Sequence, residues 1–198
     1  MDGRQAWQRL RTDPAKFLRD NVLRSNASTP ESGVKACRIA PIPDCYGVRR
    51  GRVRKKNIHT AGAFLVGPQD VVRKGWPIAV HFIKTDAVLG RDIMGNRWDI
   101  KKNGTGGYVL PAGGKPTLMM TEKLTGCSFC IKKLDNGGVE VCHIQPPGAG
   151  NDLQDKLTDT SAWDKVYGSR NYDQETGQVT IFGVWRKSRW CLNAKKTS

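Results

Sequence analysis

The 198-residue chain has no run of about eighteen consecutive apolar residues, so no membrane-spanning helix is expected. The opening residues, Met1-Asp-Gly-Arg-Gln-Ala-Trp7, lack the apolar centre of a secretory signal. The protein is therefore expected to stay in the cytoplasm or to leave by a route that needs no cleaved signal peptide. Internal repeats and low-complexity tracts are missing, which argues against solenoids and fibres. Acidic residues are scarce: 18 Asp and Glu stand against 33 Lys and Arg, a net charge of +15. Histidine is scarcer still, at three positions, 59, 81 and 143. Six cysteines are present, but a chain of this length with 38 % apolar residues can build its own core. A disulfide framework is not needed, and free thiols are expected.

The positive charge is uneven. Residues 1–56 carry 14 Lys and Arg against 5 Asp and Glu, and the densest run is Arg49, Arg50, Arg52, Arg54, Lys55 and Lys56. Such a run fits an acidic partner surface or a nucleic acid as readily as it fits a solvated loop. Residues 4–11 read as a short helix, and Asp13-Pro14 restarts one, with Asp as cap and Pro at the first helical position. Strand-like runs follow at 34–40, 61–66, 77–84, 117–122, 127–134, 138–145 and 178–192. The glycine- and proline-rich stretch 101–116 reads as a long irregular loop, and 151–166 as a helix. Lys195-Lys196 reads as a disordered end. The fold class is α/β (α+β): mixed β-sheets packed centrally with flanking helices in a single catalytic domain over 34–198. Residues 1–33 are expected to form a helical segment and linker, separate from that domain.

One hairpin carries the chemistry. Cys127 follows Gly126, and His143 comes sixteen residues later on the return strand, after the turn Asp135-Asn-Gly-Gly138. A thiol and an imidazole brought together are the minimum for a thiolate nucleophile. Register decides whether they meet, because side chains alternate between faces. A three-residue loop with Gly137 left-handed sets Phe129 opposite His143, Lys132 opposite Glu140 and Cys130 opposite Cys142. Cys127 is then diagonal to His143 on one face. A two-residue loop puts them on opposite faces. Apolar patterning does not choose between the two, so the catalytic reading predicts an odd-residue loop, a bulge, or an irregular start to the strand at Gly126. In the catalytic reading His143 activates Cys127 and returns the proton to the leaving group. Backbone N–H groups of the Leu124-Thr125-Gly126 segment and Cys127 bind the oxyanion. Thr121 orients the imidazole by its hydroxyl or its carbonyl.

Leu124-Thr-Gly-Cys127, the hairpin return to His143, and a threonine six residues before the cysteine together resemble the bacterial glutamine-deamidating toxins with a Leu-Ser-Gly-Cys motif. This is the family of Burkholderia lethal factor and the cytotoxic necrotizing factor catalytic domain. The resemblance covers about 121–145, and Thr125 stands where the family has serine. It implies a thiol-dependent hydrolysis of a glutamine side chain to glutamate in a host protein, with Cys127, His143 and Thr121 at the site and no metal or cofactor. It further implies a virulence effector, secreted by a bacterium without a cleaved signal peptide and acting in the host cytosol. The family's targets include small GTPases and a translation factor. Transglutamination and proteolysis use the same Cys–His pair and stay open.

Three other readings compete. Cys127, Cys130, Cys142 and His143 supply four zinc-type ligands, although adjacent strand residues such as Cys142 and His143 point to opposite faces. Cys127-x-x-Cys130 has redox spacing but no capped helix after it. Trp185-Arg-Lys-Ser-Arg-Trp190 interleaves rings with cations, as nucleic-acid-binding surfaces do. His81, inside the apolar run Ile78–Ile83, reads as a core histidine.

Overall fold

The two helices expected at the start of the chain are present. Asp2 accepts from the Gln5 N–H and the Gln5 side chain reaches back, a capping box that starts α1 (Gly3–Thr12). Asp13 caps α2 (Pro14–Asp20) by accepting from Lys16 N–H. This is a computed structural model, and it describes residues 1–25, 31–42, 62–68, 70–113, 116–172 and 178–196. The basic run Arg49, Arg50, Arg52, Arg54, Lys55 and Lys56, with Cys45 and His59, lies outside the described residues.

Two sheets form the centre. The larger contains β1 (Asn21–Ser25), β2 (Gly33–Pro41), β3 (Gly62–Pro68), β4 (Trp76–Ile83), β7 (Leu118–Thr121), β11 (Val179–Arg186) and β12 (Arg189–Lys196). Their spatial order is β1-β3-β2-β4-β7-β11-β12, with β1–β3 and β4–β7 parallel. The smaller sheet runs β10 (Lys165–Tyr167), β8 (Ser128–Lys133), β9 (Val139–Ile144) and β5 (Thr85–Asp86). The short β6 (Tyr108–Leu110) also pairs with β9.

Alternation along the strands divides the apolar residues into three layers. The outer face of the large sheet, with Leu23, Ile39, Phe64, Val80, Phe82 and Met120, is covered by Ala6, Leu10, Phe17 and Leu18 of α1 and α2. Between the sheets lie Ile83, Met119, Leu124, Phe129, Val141, Ile181 and Trp190. The outer face of the small sheet, with Cys130, Cys142 and Ile144, is covered by α3 (Ala87–Met94) and α5 (Gly150–Asp159). The result is the expected α/β class: mixed sheets at the centre with helices on both sides.

The N-terminal residues depart from expectation. They are not separate from the domain, because α1 and α2 supply the apolar cover of the large sheet and β1 pairs with β3. Residues 178–192 are not one strand either. Lys187 and Ser188 both take positive φ, 49° and 60°, and turn the chain into a β11–β12 hairpin. The 101–116 stretch holds a four-residue helix, α4 (Ile100–Asn103), and β6. Helix α5 stops at Asp159, near Ser161 with φ 55°, and β10 follows. Lys195 is ordered in β12, and its ammonium donates to the Leu18 carbonyl at the end of α2.

Leu10 is fully buried. Leu10→Ala should therefore destabilise the whole domain by about 2–5 kcal/mol, read as a lower urea midpoint in one cooperative transition. A separate early transition, with the rest unchanged, would mark α1 and α2 as an independent unit.

Candidate active site

The β8–β9 hairpin adopts the three-residue loop. Gly137 has φ +82°, its N–H donates to the Leu134 carbonyl, and Leu134 N–H donates to Gly138. Phe129 stands opposite His143, Cys130 opposite Cys142 and Lys132 opposite Glu140. Cys127 and His143 are therefore on the inter-sheet side, and Cys130 and Cys142 on the helix side. Cys127 and Cys130 face different layers and cannot act as a redox pair in this fold. The described cysteines are all free. Among the described residues, no three His, Cys, Asp or Glu side chains are grouped to hold a metal ion.

Leu124-Thr-Gly-Cys127 is the passage from one sheet to the other. Leu124 is fully buried and exchanges backbone hydrogen bonds with Val179 beside the large sheet, at 2.7 and 3.2 Å. Gly126 takes φ +79°, a backbone state that glycine adopts without strain, and β8 begins at Ser128. A residue that the sequence reading missed fixes this turn. The Tyr172 hydroxyl donates to the Cys127 carbonyl at 2.7 Å and accepts from the Gly126 N–H. Gly126 N–H, expected at an oxyanion hole, is bonded to Tyr172 in this state. The Cys127 thiol contacts the Thr125 carbonyl at 3.9 Å.

His143 is 1 % exposed. A ring N–H donates to the Ile83 carbonyl, and the Thr85 hydroxyl lies 3.1 Å from Nδ1. Thr85 is placed there because β5 runs parallel to β9 with Thr85 opposite His143. Thr121, expected to orient the imidazole, instead accepts Ile181 N–H on its hydroxyl at 3.1 Å, while its backbone stands opposite Ile83. The contacts that hold the ring come from Thr85 and Ile83. The signal for this was the Thr85-Asp86 pair: Asp86 caps α3 by accepting Leu89 N–H, which marks a strand-to-helix turn.

A half-open cavity of about 150 Å³ lies at the edge of β9, bordered by Val141, Cys142, His143, Tyr108, Lys84 and Asp86. Cys127 is not among the residues that line it. The register therefore brings the thiol and the imidazole to one face, and the cavity borders His143 but not Cys127.

Burial governs the ionisation of both groups. Desolvation pushes the Cys127 thiol up, the Glu122 carboxylate adds to this, and the Thr125 contact opposes it. Desolvation drives His143 down to about 3, against the pull of the Ile83 carbonyl. The resting pair is a neutral thiol and a neutral imidazole.

Trp185 and Trp190 meet edge to face, with centroids 5.9 Å apart, and Trp190 is buried with its N–H on the Pro111 carbonyl. The ring pair belongs to the inter-sheet layer and is not a stacking platform.

No protein-family model matches the chain, and no curated protein sequence matches it.

Two outcomes follow from the ionisation states. Alkylation of Cys127 by iodoacetamide, followed by peptide mass spectrometry, should be slow at pH 7 and rise through pH 9; fast labelling at pH 7 would reveal a preformed thiolate. His143 also shapes acid stability. Between about 3 and its ordinary 6.5, the unfolded chain takes up a proton that the folded ring refuses. Stability is thus complete above pH 6.5 and falls as the pH drops toward 3, by up to about 1.4 kcal/mol per pH unit. Urea midpoints from pH 7.5 to 4 should show this slope reduced in His143→Asn; an unchanged slope would contradict it. Buried His81, also shifted down, supplies part of the remainder.

Proposed function

We propose that the protein is a cysteine-dependent amide hydrolase that converts a glutamine side chain of a host protein to glutamate. In this reading it is a secreted bacterial effector that acts in the host cytosol. The observation that carries the reading is the hairpin register, which sets Cys127 and His143 on one face of β8–β9 beside the turn of a Leu-Thr-Gly-Cys segment. The resemblance to the deamidating toxins adds support from the same residues.

The chemistry starts from the neutral pair. As the carboxamide enters, the thiol turns from the Thr125 carbonyl toward His143. Its sulfur attacks the carboxamide carbon while its proton passes to the imidazole; burial opposes that transfer at rest, so it is coupled to attack. The tetrahedral oxyanion collapses, the C–N bond breaks, and the imidazolium gives its proton to the departing ammonia. Water then loses a proton to His143 and attacks the thioester, which releases glutamate and restores the thiol. At rest Thr85 and the Ile83 carbonyl hold the ring, the Thr85 contact yields as the ring takes the proton, and Thr121 fixes Ile83 through the β4–β7 pairing. The target is a host protein with an accessible glutamine, a small GTPase or a translation factor by resemblance. The basic run Arg49–Lys56 suits an acidic surface on that target.

The test is peptide mass spectrometry of host lysate treated with wild-type or Cys127→Ser protein. Wild type alone should add about one dalton to particular glutamines. His143→Ala should abolish the change, and Cys130→Ser should keep most of it, since Cys130 faces the helices. An amine adduct would mean transglutamination, and new peptide ends would mean proteolysis. Activity retained in Cys127→Ser would overturn the mechanism.

A further inference from the structure

Two crossings between the sheets set the Cys127–His143 pair, and one residue touches both. The chain passes from β4 to β5 through Ile83-Lys84-Thr85, and from β7 to β8 through Glu122–Cys127. Glu122, the first residue of the second crossing, clasps the first crossing at both ends. Its backbone N–H donates to the Ile83 carbonyl at 3.2 Å. Its carboxylate Oε2 accepts the Thr85 N–H at 2.9 Å. Ile83 and Thr85 are the residues that hold the resting imidazole: the Ile83 carbonyl accepts a ring N–H, and the Thr85 hydroxyl lies 3.1 Å from Nδ1.

The two bonds have different origins. The first belongs to the parallel ladder of β4 and β7, in which Ile83 stands opposite Thr121 and its carbonyl meets the next N–H along. The second depends on the side chain alone. β5 has two residues, and its Thr85 N–H takes a carboxylate as acceptor. The half-buried Glu122 charge also reaches the thiol, where it opposes ionisation of Cys127. The other titratable groups around the pair are placed differently. Lys84 and Asp86 flank Thr85 in the chain, and Asp86 caps α3. Cys142 faces the helices, and Tyr172 bonds the backbone of the Gly126–Cys127 turn.

We propose that Glu122 is the positioning residue of the Cys127–His143 pair: its carboxylate fixes Thr85 against the imidazole, and its negative charge acts on the same two groups. Its part in turnover rests on the amide-hydrolase reading; its hold on the ring and its field at the thiol do not. A negative charge disfavours a thiolate and favours a protonated imidazole. The thiol therefore keeps its proton until a carboxamide arrives. The imidazolium formed during attack then has a carboxylate two contacts away, through Thr85.

The test separates the clasp from the charge in the full-length protein. Glu122→Gln keeps an acceptor for Thr85 N–H and removes the charge. Glu122→Asp keeps the charge on an arm too short for that bond. The first readout is the ¹³C-labelled histidine ring signals at pH 7.5. The second is the pH dependence of Cys127 alkylation by iodoacetamide. In Glu122→Asp the His143 signals should move while the alkylation profile stays near wild type. In Glu122→Gln the His143 signals should stay, and the alkylation profile should shift to lower pH by about half a unit or more. A cooperative urea transition and unmoved His81 signals in both variants show that the fold is kept. His143 unmoved in Glu122→Asp, or alkylation unchanged in Glu122→Gln, would overturn the role; so would equal movement of His81 and His143, which marks a general distortion. Turnover is read separately on the deamidated target. Glu122→Asp should lower kcat about tenfold with KM little changed, and Glu122→Gln should lose less. Wild-type kcat in Glu122→Asp, with the ring moved, would remove Glu122 from the reaction. Absence of deamidation in every form, with both other readouts as stated, would defeat the amide hydrolase and leave the positioning of the ring and thiol in place.

Discussion

The arrangement depends on the register of one hairpin. Gly137, left-handed in a three-residue loop, makes Phe129 the partner of His143. A slip of one residue would turn every side chain of one strand to the other face of the sheet. Cys127 would then leave the layer that holds His143, and Cys130 would enter it. Since Phe129, Ile131 and Val141 pack toward the large sheet and Cys130, Cys142 and Ile144 pack under the helices, both faces are committed and the slip is opposed from both sides. The same register separates four residues that a sequence reader would be tempted to group as zinc ligands.

Placing a thiol and an imidazole between two sheets has a chemical consequence. Water is excluded, so neither the thiol nor the imidazole carries charge at rest. A preformed thiolate–imidazolium pair would be costly in such surroundings. In the proposed reaction, coupling the proton transfer to attack avoids that state. The neutral site requires its parts to be held accurately, and the structure supplies the holding groups. Thr85 and Ile83 fix the imidazole, and Tyr172 pins both ends of the Gly126–Cys127 unit. Tyr172 is itself anchored by the short turn Ser169–Asn171. There Asn171 accepts from Gly168 N–H and Gln154, and Arg170 pairs with Asp155 of α5.

Local signals carried the parts of the fold that are local. The Asp2 and Asp13 caps, the alternating strands and the Asp135-Asn-Gly-Gly138 turn were legible because each is written within a few residues. The Lys187-Ser188 turn was not, since neither residue is the glycine or asparagine that positive φ usually requires. Ser161 hid the end of α5 for the same reason. The site was half legible. Cys127 and His143 belong to one hairpin and could be related by counting. Thr85 and Tyr172 arrive from 58 and 45 residues away from the residue each serves, and no local pattern announces such meetings. Helix α3 was within reach, because Asp86 precedes Leu89 and Ile93 at helical spacing and Gly95 closes the run.

The Leu-Thr-Gly-Cys segment can now be understood as a mechanical element. The chain leaves the large sheet at Thr121 and begins the small one at Ser128. Leu124 ties the crossing to Val179 and fills the inter-sheet layer, Gly126 makes the left-handed turn, and Cys127 is delivered where β8 starts. Thr121 anchors the first end, through Ile181 on one side and Ile83 on the other. Ile83 in turn accepts the His143 ring N–H. Cys127 and His143 therefore belong with the small sheet but take their positions from the large one. A change in the distance between the sheets would move Cys127 through Leu124 and His143 through Ile83. The short motif thus acts as the joint of the sandwich, which explains why a threonine, a leucine and a glycine at those spacings accompany the cysteine.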